Sequence, residues 1–172
     1  MASSVSPADL VPGLLVDLKA AGATVVTAES LTGGRVAAAL TQLPGSSAVF
    51  RGGVVAYATD LKQTVLGVPA AVVAEHGVVS AECARAMAAG VRSVLGATYG
   101  IATTGVAGPD PQEGKAPGTV HVAVAGPTGV AASALELVGD RAAVMERTCL
   151  EALSVLSGMI GGDVPGEQPF LG

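Results

Sequence analysis

Leu10, Leu14, Leu15 and Leu18 recur at helical spacing behind Ser6-Pro7-Ala8-Asp9, which reads as a cap, a proline at the first helical position and a carboxylate in the first turn. Gly22 stops that helix. Ala23 to Ala28 (ATVVTA) is short, β-branched and almost wholly apolar, the pattern of a strand covered on both faces. A strand-to-helix junction, Glu29 to Gly34, leads into a helix from about Gly33 to Leu43 that ends at Pro44-Gly45. Val49 to Tyr57 is the second strand, with Gly52-Gly53 marking a bulge.

Two short helices are predicted next, near Thr59 and from Pro69, and Ser80 with Glu82 opens a longer one to about Leu95. Thr98 to Thr104 is the third strand. Gly105 to Pro117 is a Gly- and Pro-rich loop of thirteen residues, long enough to point to a functional loop. Ala116 to Leu135 carries no formal charge, a length that could span a bilayer, but Gly126-Pro127-Thr128-Gly129 at its middle is turn chemistry, so it reads as a buried hairpin. Asp140 caps a last helix whose Met145, Cys149, Ala152, Leu156 and Met159 share a face, and a frayed tail is expected from Gly161 to Gly172. Helices alternating with apolar strands and then a hairpin predict a three-layer α/β/α sandwich on a mixed sheet of about five strands.

Composition narrows the function. The 172 residues are 50% hydrophobic, enough for one packed domain, and carry nine Lys and Arg against fourteen Asp and Glu, a net charge of −5. The cations are spread singly and aromatic residues make up 2%, so neither a phosphate-neutralising stripe nor a base-stacking platform is present, and nucleic-acid binding is not expected. The N-terminus lacks the basic flank and apolar run of a signal peptide, and Cys83 and Cys149 do not make a disulfide framework; both fit a reducing cytoplasm. A half-apolar, sparsely charged chain also leads us to expect a homo-oligomer.

Several chemistries are excluded by spacing. Gly108 to Ala116 resembles a phosphate-binding P-loop but has one residue too many between its glycines, Ala116 in place of the hydroxyl, and a strand after it. There is no G-x-G-x-x-G, no G-x-S-x-G and no Asn anywhere. The histidines, His76 and His121, have no Cys, Asp or Glu at ligand spacing, so neither a metal nor a cofactor is expected.

Three pieces remain. Glu29-Ser30-Leu31-Thr32-Gly33-Gly34 lies where a buried strand becomes a helix, the edge at which α/β sheets bind ligands, and the backbone N–H groups of Thr32, Gly33 and Gly34 could hold an anion beside Ser30. The plain alternative is that Ser30 or Thr32 only caps the helix. Tyr57-Ala58-Thr59-Asp60-Leu61-Lys62 ends a strand in a phenol and sets a lysine at a helix start, where the dipole depresses its pKa. A base near neutral pH would need a shift of about 3 units, about 4 kcal/mol, of which burial would have to supply most, with Asp60 working against it; otherwise Lys62 is a solvated surface residue and Tyr57 a core one. Thr104-Gly105, at the end of the third strand, falls on the same rim, and Arg141 at a helix start could reach a phosphate or simply be solvated.

Taken in order, AESLTGG (28 to 34), PGSSAVFRGGVVAYATDLK (44 to 62), LGV (66 to 68), HGVVS (76 to 80), TTGVAGP (103 to 109), GTV (118 to 120) and GDR (139 to 141) resemble the C-terminal domain of the competence-damage-inducible CinA family, from about residue 8 to 160. That family includes nicotinamide-nucleotide amidases. The resemblance implies a stand-alone form of the domain that hydrolyses the carboxamide of nicotinamide mononucleotide to nicotinic acid mononucleotide and ammonia without a metal. Ser30 maps to the nucleophile and Tyr57 and Lys62 to its activating partners, with donors near Gly33 or near Gly105 for the phosphate. Ala58-Thr59 stands where the common family form has Ser-Asn, and Leu31 where it has Cys. The competing expectation is a nucleotide-binding or regulatory protein linked to competence or DNA damage, in which the same turns bind phosphate without chemistry.

Overall fold

The computed structural model describes residues 5–162; the expected frayed tail lies, beyond Gly162, outside them. Helix α1 (Pro7–Ala20) starts as its sequence dictates: Ser6 and Asp9 form a reciprocal capping box, the Ser6 N–H and hydroxyl both donating to Asp9 Oδ2 at 2.8 and 2.7 Å. Strand β1 (Val25–Glu29) is buried throughout. Then follow α2 (Arg35–Thr41), β2 (Phe50–Val55), α3 (Thr59–Thr64), α4 (Ala70–His76), α5 (Ala81–Leu95), β3 (Tyr99–Gly105), β4 (Thr119–Gly126), β5 (Gly129–Glu136) and α6 (Arg141–Gly161). The Ser80 and Asp140 side chains accept from the N–H groups of Cys83 and Ala143 and so cap α5 and α6.

The strands order as β2-β1-β3-β4-β5, with β1 parallel to β2 and β3, and β4 antiparallel to β3 and β5. The expected α/β class and five-stranded mixed sheet are both present. Helices α1, α2 and α6 bury one face, on Val25, Ile101, Val120, Val122 and Val124. Helix α5 covers the other, its Ala84, Met87, Ala88 and Val91 meeting Val26, Ala28, Ala102 and Ala123. This second layer sits close because small residues face it: a side chain at Gly100 would overlap the Ala88 carbonyl oxygen.

Three details differ from the sequence reading. The register break of β2 falls at Arg51, since Val25 pairs with Phe50 and Val26 with Gly52, one residue before the expected glycine pair. Gly53 serves instead to clear the side chain of Thr27 opposite. The hairpin is buried only on β4; β5 is an edge strand and half open, which uniform apolarity along the chain does not reveal. Among the described residues, no helix is long and apolar enough to cross a membrane.

Candidate active site

Parallel topology gathers the carboxyl ends of β1, β2 and β3 on one edge, where the chain leaves the sheet and its next backbone groups are free to meet a ligand. Ser30 stands there, its N–H held by the Thr103 carbonyl at 3.0 Å, and the neighbouring Ala56 N–H donates to Glu29 O at 2.9 Å. The chain then turns through Tyr57 and Ala58 into α3, which sends Lys62 back beneath the rim. Lys62 is 2% exposed, and its Nζ donates to Ser30 Oγ at 3.0 Å and to Ala56 O at 2.9 Å. Burial pushes its pKa down, opposed by the charges of Cys83 and Glu113. Asp60, the expected opponent, is exposed. A buried amine with a lowered pKa, hydrogen-bonded to a hydroxyl, is the pairing that can take a serine proton.

Around Ser30 a cleft of about 320 Å³ is lined by Leu31, Tyr57, Gly105, Gly108, Pro109 and Arg141, among others. Tyr57 and Lys62 exchange the environments that the plain reading assigns them: the lysine is core and the phenol 57% exposed. Tyr57 Oη accepts from Arg141 Nη2 at 2.7 Å, while Arg141 Nη1 donates to the Gly108 carbonyl at 2.6 Å. The phenol therefore pairs with the guanidinium and not with Ser30 or Lys62; it forms a wall of the cleft.

The turn after Ser30 holds the residue that sequence reasoning missed. Glu29 is 1% exposed and accepts four hydrogen bonds, from Thr32 Oγ1 (2.6 Å), Gly34 N (3.1 Å), Val36 N (3.0 Å) and Ala37 N (2.8 Å). Its carboxylate fills the anion site that the Gly33-Gly34 turn offers. Gly33 N donates to Ser30 O instead. The expected anion role of Gly33 and Gly34 is thus corrected: an internal carboxylate, tethered one residue before Ser30, takes those donors and repels a second anion. Thr32 is fully buried, its hydroxyl between Glu29 and Thr103 Oγ1 at 2.8 Å, so its side chain does not reach the cleft. The N–H of Leu31, a residue that lines the cleft, has no hydrogen-bond partner among the described residues. A signal was available: an acidic residue followed three positions later by Thr and then by glycines, at a helix start, is capping chemistry.

Thr104 is also turned inward, its hydroxyl donating to Val78 O at 2.6 Å. Gly105 lines the cleft, but its φ of +154° and its approach to the Thr119 carbonyl serve the packing of β3 on β4. The loop after it is pinned to the α4–α5 junction: the Glu113 carboxylate accepts from Val78 N at 3.0 Å and Val79 N at 3.1 Å, and Lys115 Nζ donates to Val79 O. The lysine of the P-loop lookalike is thereby engaged with backbone.

Elsewhere the candidates are quiet. A roomier groove of about 460 Å³ between α1, α2 and α6 includes Cys149, whose thiol burial pushes up to about 12. His76 lies 3.8 Å from Glu75 and 3.9 Å from Glu82. His121 is held below its ordinary pKa by burial and by Lys115. Among the described residues, no three His, Cys, Asp or Glu side chains are grouped to hold a metal ion.

Comparison with known proteins identifies the family and the fold. Residues 9–160 match the family model described as the CinA C-terminal domain. A CinA-like protein of Frankia casuarinae is 51% identical over 153 residues, covering 89% of this chain and 35% of that protein, and one from Anaeromyxobacter dehalogenans is 50% identical over 150 residues, 86% and 37%. The chain thus spans about a third of the length of these curated relatives. Among solved structures, a CinA superfamily protein from Klebsiella pneumoniae superposes with a TM-score of 0.88 at 32% identity, covering 92% of this chain and 99% of that one. A competence/damage inducible protein from Agrobacterium tumefaciens gives 0.86 at 34%, covering 91% and 99%. With a family model spanning nearly the whole described chain and relatives at half identity, this chain belongs to the CinA C-terminal domain family.

Proposed function

We propose that this domain is a serine amidohydrolase that converts nicotinamide mononucleotide to nicotinic acid mononucleotide and ammonia, in pyridine-nucleotide salvage. The observation that carries the reading is the 3.0 Å hydrogen bond between the buried Lys62 Nζ and Ser30 Oγ at the mouth of the cleft. The substrate follows from the family resemblance.

Neutral Lys62 takes the Ser30 proton as Oγ bonds to the carboxamide carbon, and the N–H of Leu31 stabilises the oxyanion. Collapse of the tetrahedral adduct breaks the C–N bond, with the lysine proton passing to the leaving nitrogen as ammonia departs. Water then attacks the acyl-serine, giving a proton to Lys62 and releasing the acid as Ser30 Oγ is reprotonated. Tyr57 and Arg141 supply the opposite wall, the guanidinium on the side where a substrate phosphate would lie.

Purified protein should release ammonia from nicotinamide mononucleotide, and Ser30→Ala should abolish it while leaving the fold intact. Full turnover in that variant refutes Ser30 as nucleophile. Stabilisation by several mononucleotides without any ammonia would instead favour a binding or regulatory role.

A further inference from the structure

We infer that Arg35, which the sequence reading left without a role, is a specificity-determining residue that with Arg141 grips the substrate phosphate, so that the ligand runs from Ser30 past Arg141 into the cavity at the start of α6. The inference rests on the amidase reading of the cleft and adds the direction in which the phosphate leaves it.

Two routes lead away from Ser30. The one over the Gly33-Gly34 turn is closed to an anion, because the Glu29 carboxylate already occupies its donors. The other passes Arg141. That residue lines both the Ser30 cleft and a second, open cavity of about 410 Å³ whose remaining walls are Arg35, Asp140, Ala142 and Met145. The two spaces therefore share Arg141, and Arg35 lines the second.

Arg141 donates to Tyr57 Oη and Gly108 O, and a guanidinium with five N–H groups keeps others for a ligand. Among the described residues neither arginine has a carboxylate within 4.0 Å. Arg35 Nη1 donates to Thr32 O at 3.2 Å, and the residue is exposed. Thr32 is two residues from Ser30, and two residues span at most about 7 Å. The Arg35 guanidinium is thereby anchored to the backbone two residues beyond Ser30. Asp140 is the one acid in the lining; its Oδ1 accepts from Ala143 N in capping α6. Two arginines lining one cavity suit a phosphate dianion, each offering charge-assisted hydrogen bonds.

The test compares nicotinamide mononucleotide with nicotinamide riboside, which differs only in lacking the phosphate, on wild type, Arg35→Ala and Arg35→Lys. The ratio of kcat/KM for mononucleotide over riboside should fall about ten- to a hundredfold in Arg35→Ala, and Arg35→Lys should recover part of it. A ratio within twofold of wild type, or an equal fall for both compounds, overturns the inference. Calorimetric binding of the same two compounds separates it from the amidase reading: if wild type releases no ammonia, the amidase reading fails. A selective loss of mononucleotide affinity in Arg35→Ala then still supports the phosphate grip, and no such loss overturns it.

Discussion

Glu29→Gln isolates what the buried carboxylate does, because it keeps the shape and removes the charge. Glu29 Oε2 takes three donors, Thr32 Oγ1, Gly34 N and Val36 N, and Oε1 takes Ala37 N. A glutamine can place its carbonyl oxygen at the first position, which keeps those three bonds in weaker, neutral form. Its NH2 group then faces the Ala37 N–H, donor against donor. Leaving that amide unpaired in a buried site costs about 1–3 kcal/mol, and loss of the charge at the start of α2 adds about 0.5–1 kcal/mol. The sum, about 1.5–4 kcal/mol, corresponds in a domain of this size to a fall of roughly 3–16 °C in melting temperature. Thermal unfolding followed by circular dichroism reads it directly, and ammonia release should fall as well, since Ser30 follows Glu29 in the chain. A melting temperature within about 2 °C of wild type would refute the idea that this carboxylate holds the nucleophile turn.

Other outcomes follow from the same contacts. Burial lowers the Lys62 pKa in the folded state, so above that value and up to its ordinary 10.5 the unfolded chain binds more protons, and stability should rise with pH across that interval. Lys62→Met should lose that rise, and the wild-type kcat/KM should climb with pH through an inflection below 10.5 as Lys62 deprotonates; an inflection at the ordinary value would count against a desolvated base. Glu113 opposes the shift, so Glu113→Gln should move that inflection further down, and an upward move would contradict the assignment. Gly53→Ala should cost about 1–3 kcal/mol by overpacking against Thr27, and adding Thr27→Ala should restore most of it in chemical denaturation, since Thr27 Oγ1 is buried without a partner; additive losses would place the strain elsewhere.

Local chemistry decided most of the fold, and the sequence displayed it. The Ser6, Ser80 and Asp140 caps, the apolar run of β1 and the turn at Gly126 to Gly129 each depend on neighbours within a few residues, so they are legible one segment at a time. The same holds for Ser30 at the end of β1 and for the resemblance that drew Tyr57 and Lys62 to it. What a single segment cannot state is which side chain is buried and which partner arrives from far along the chain. Lys62 reaches Ser30 across 32 positions, Arg141 reaches Tyr57 across 84, and Glu113 reaches Val78 across 35. Burial made the lysine a candidate base, and long-range pairing turned the phenol toward a guanidinium. Competition for donors was equally invisible: the glycine turn looks like an anion site in sequence, and only folding brings the Glu29 carboxylate into it. Desolvation and pairing are properties of neighbours in space, and the sheet, by gathering three strand ends on one rim, chose them.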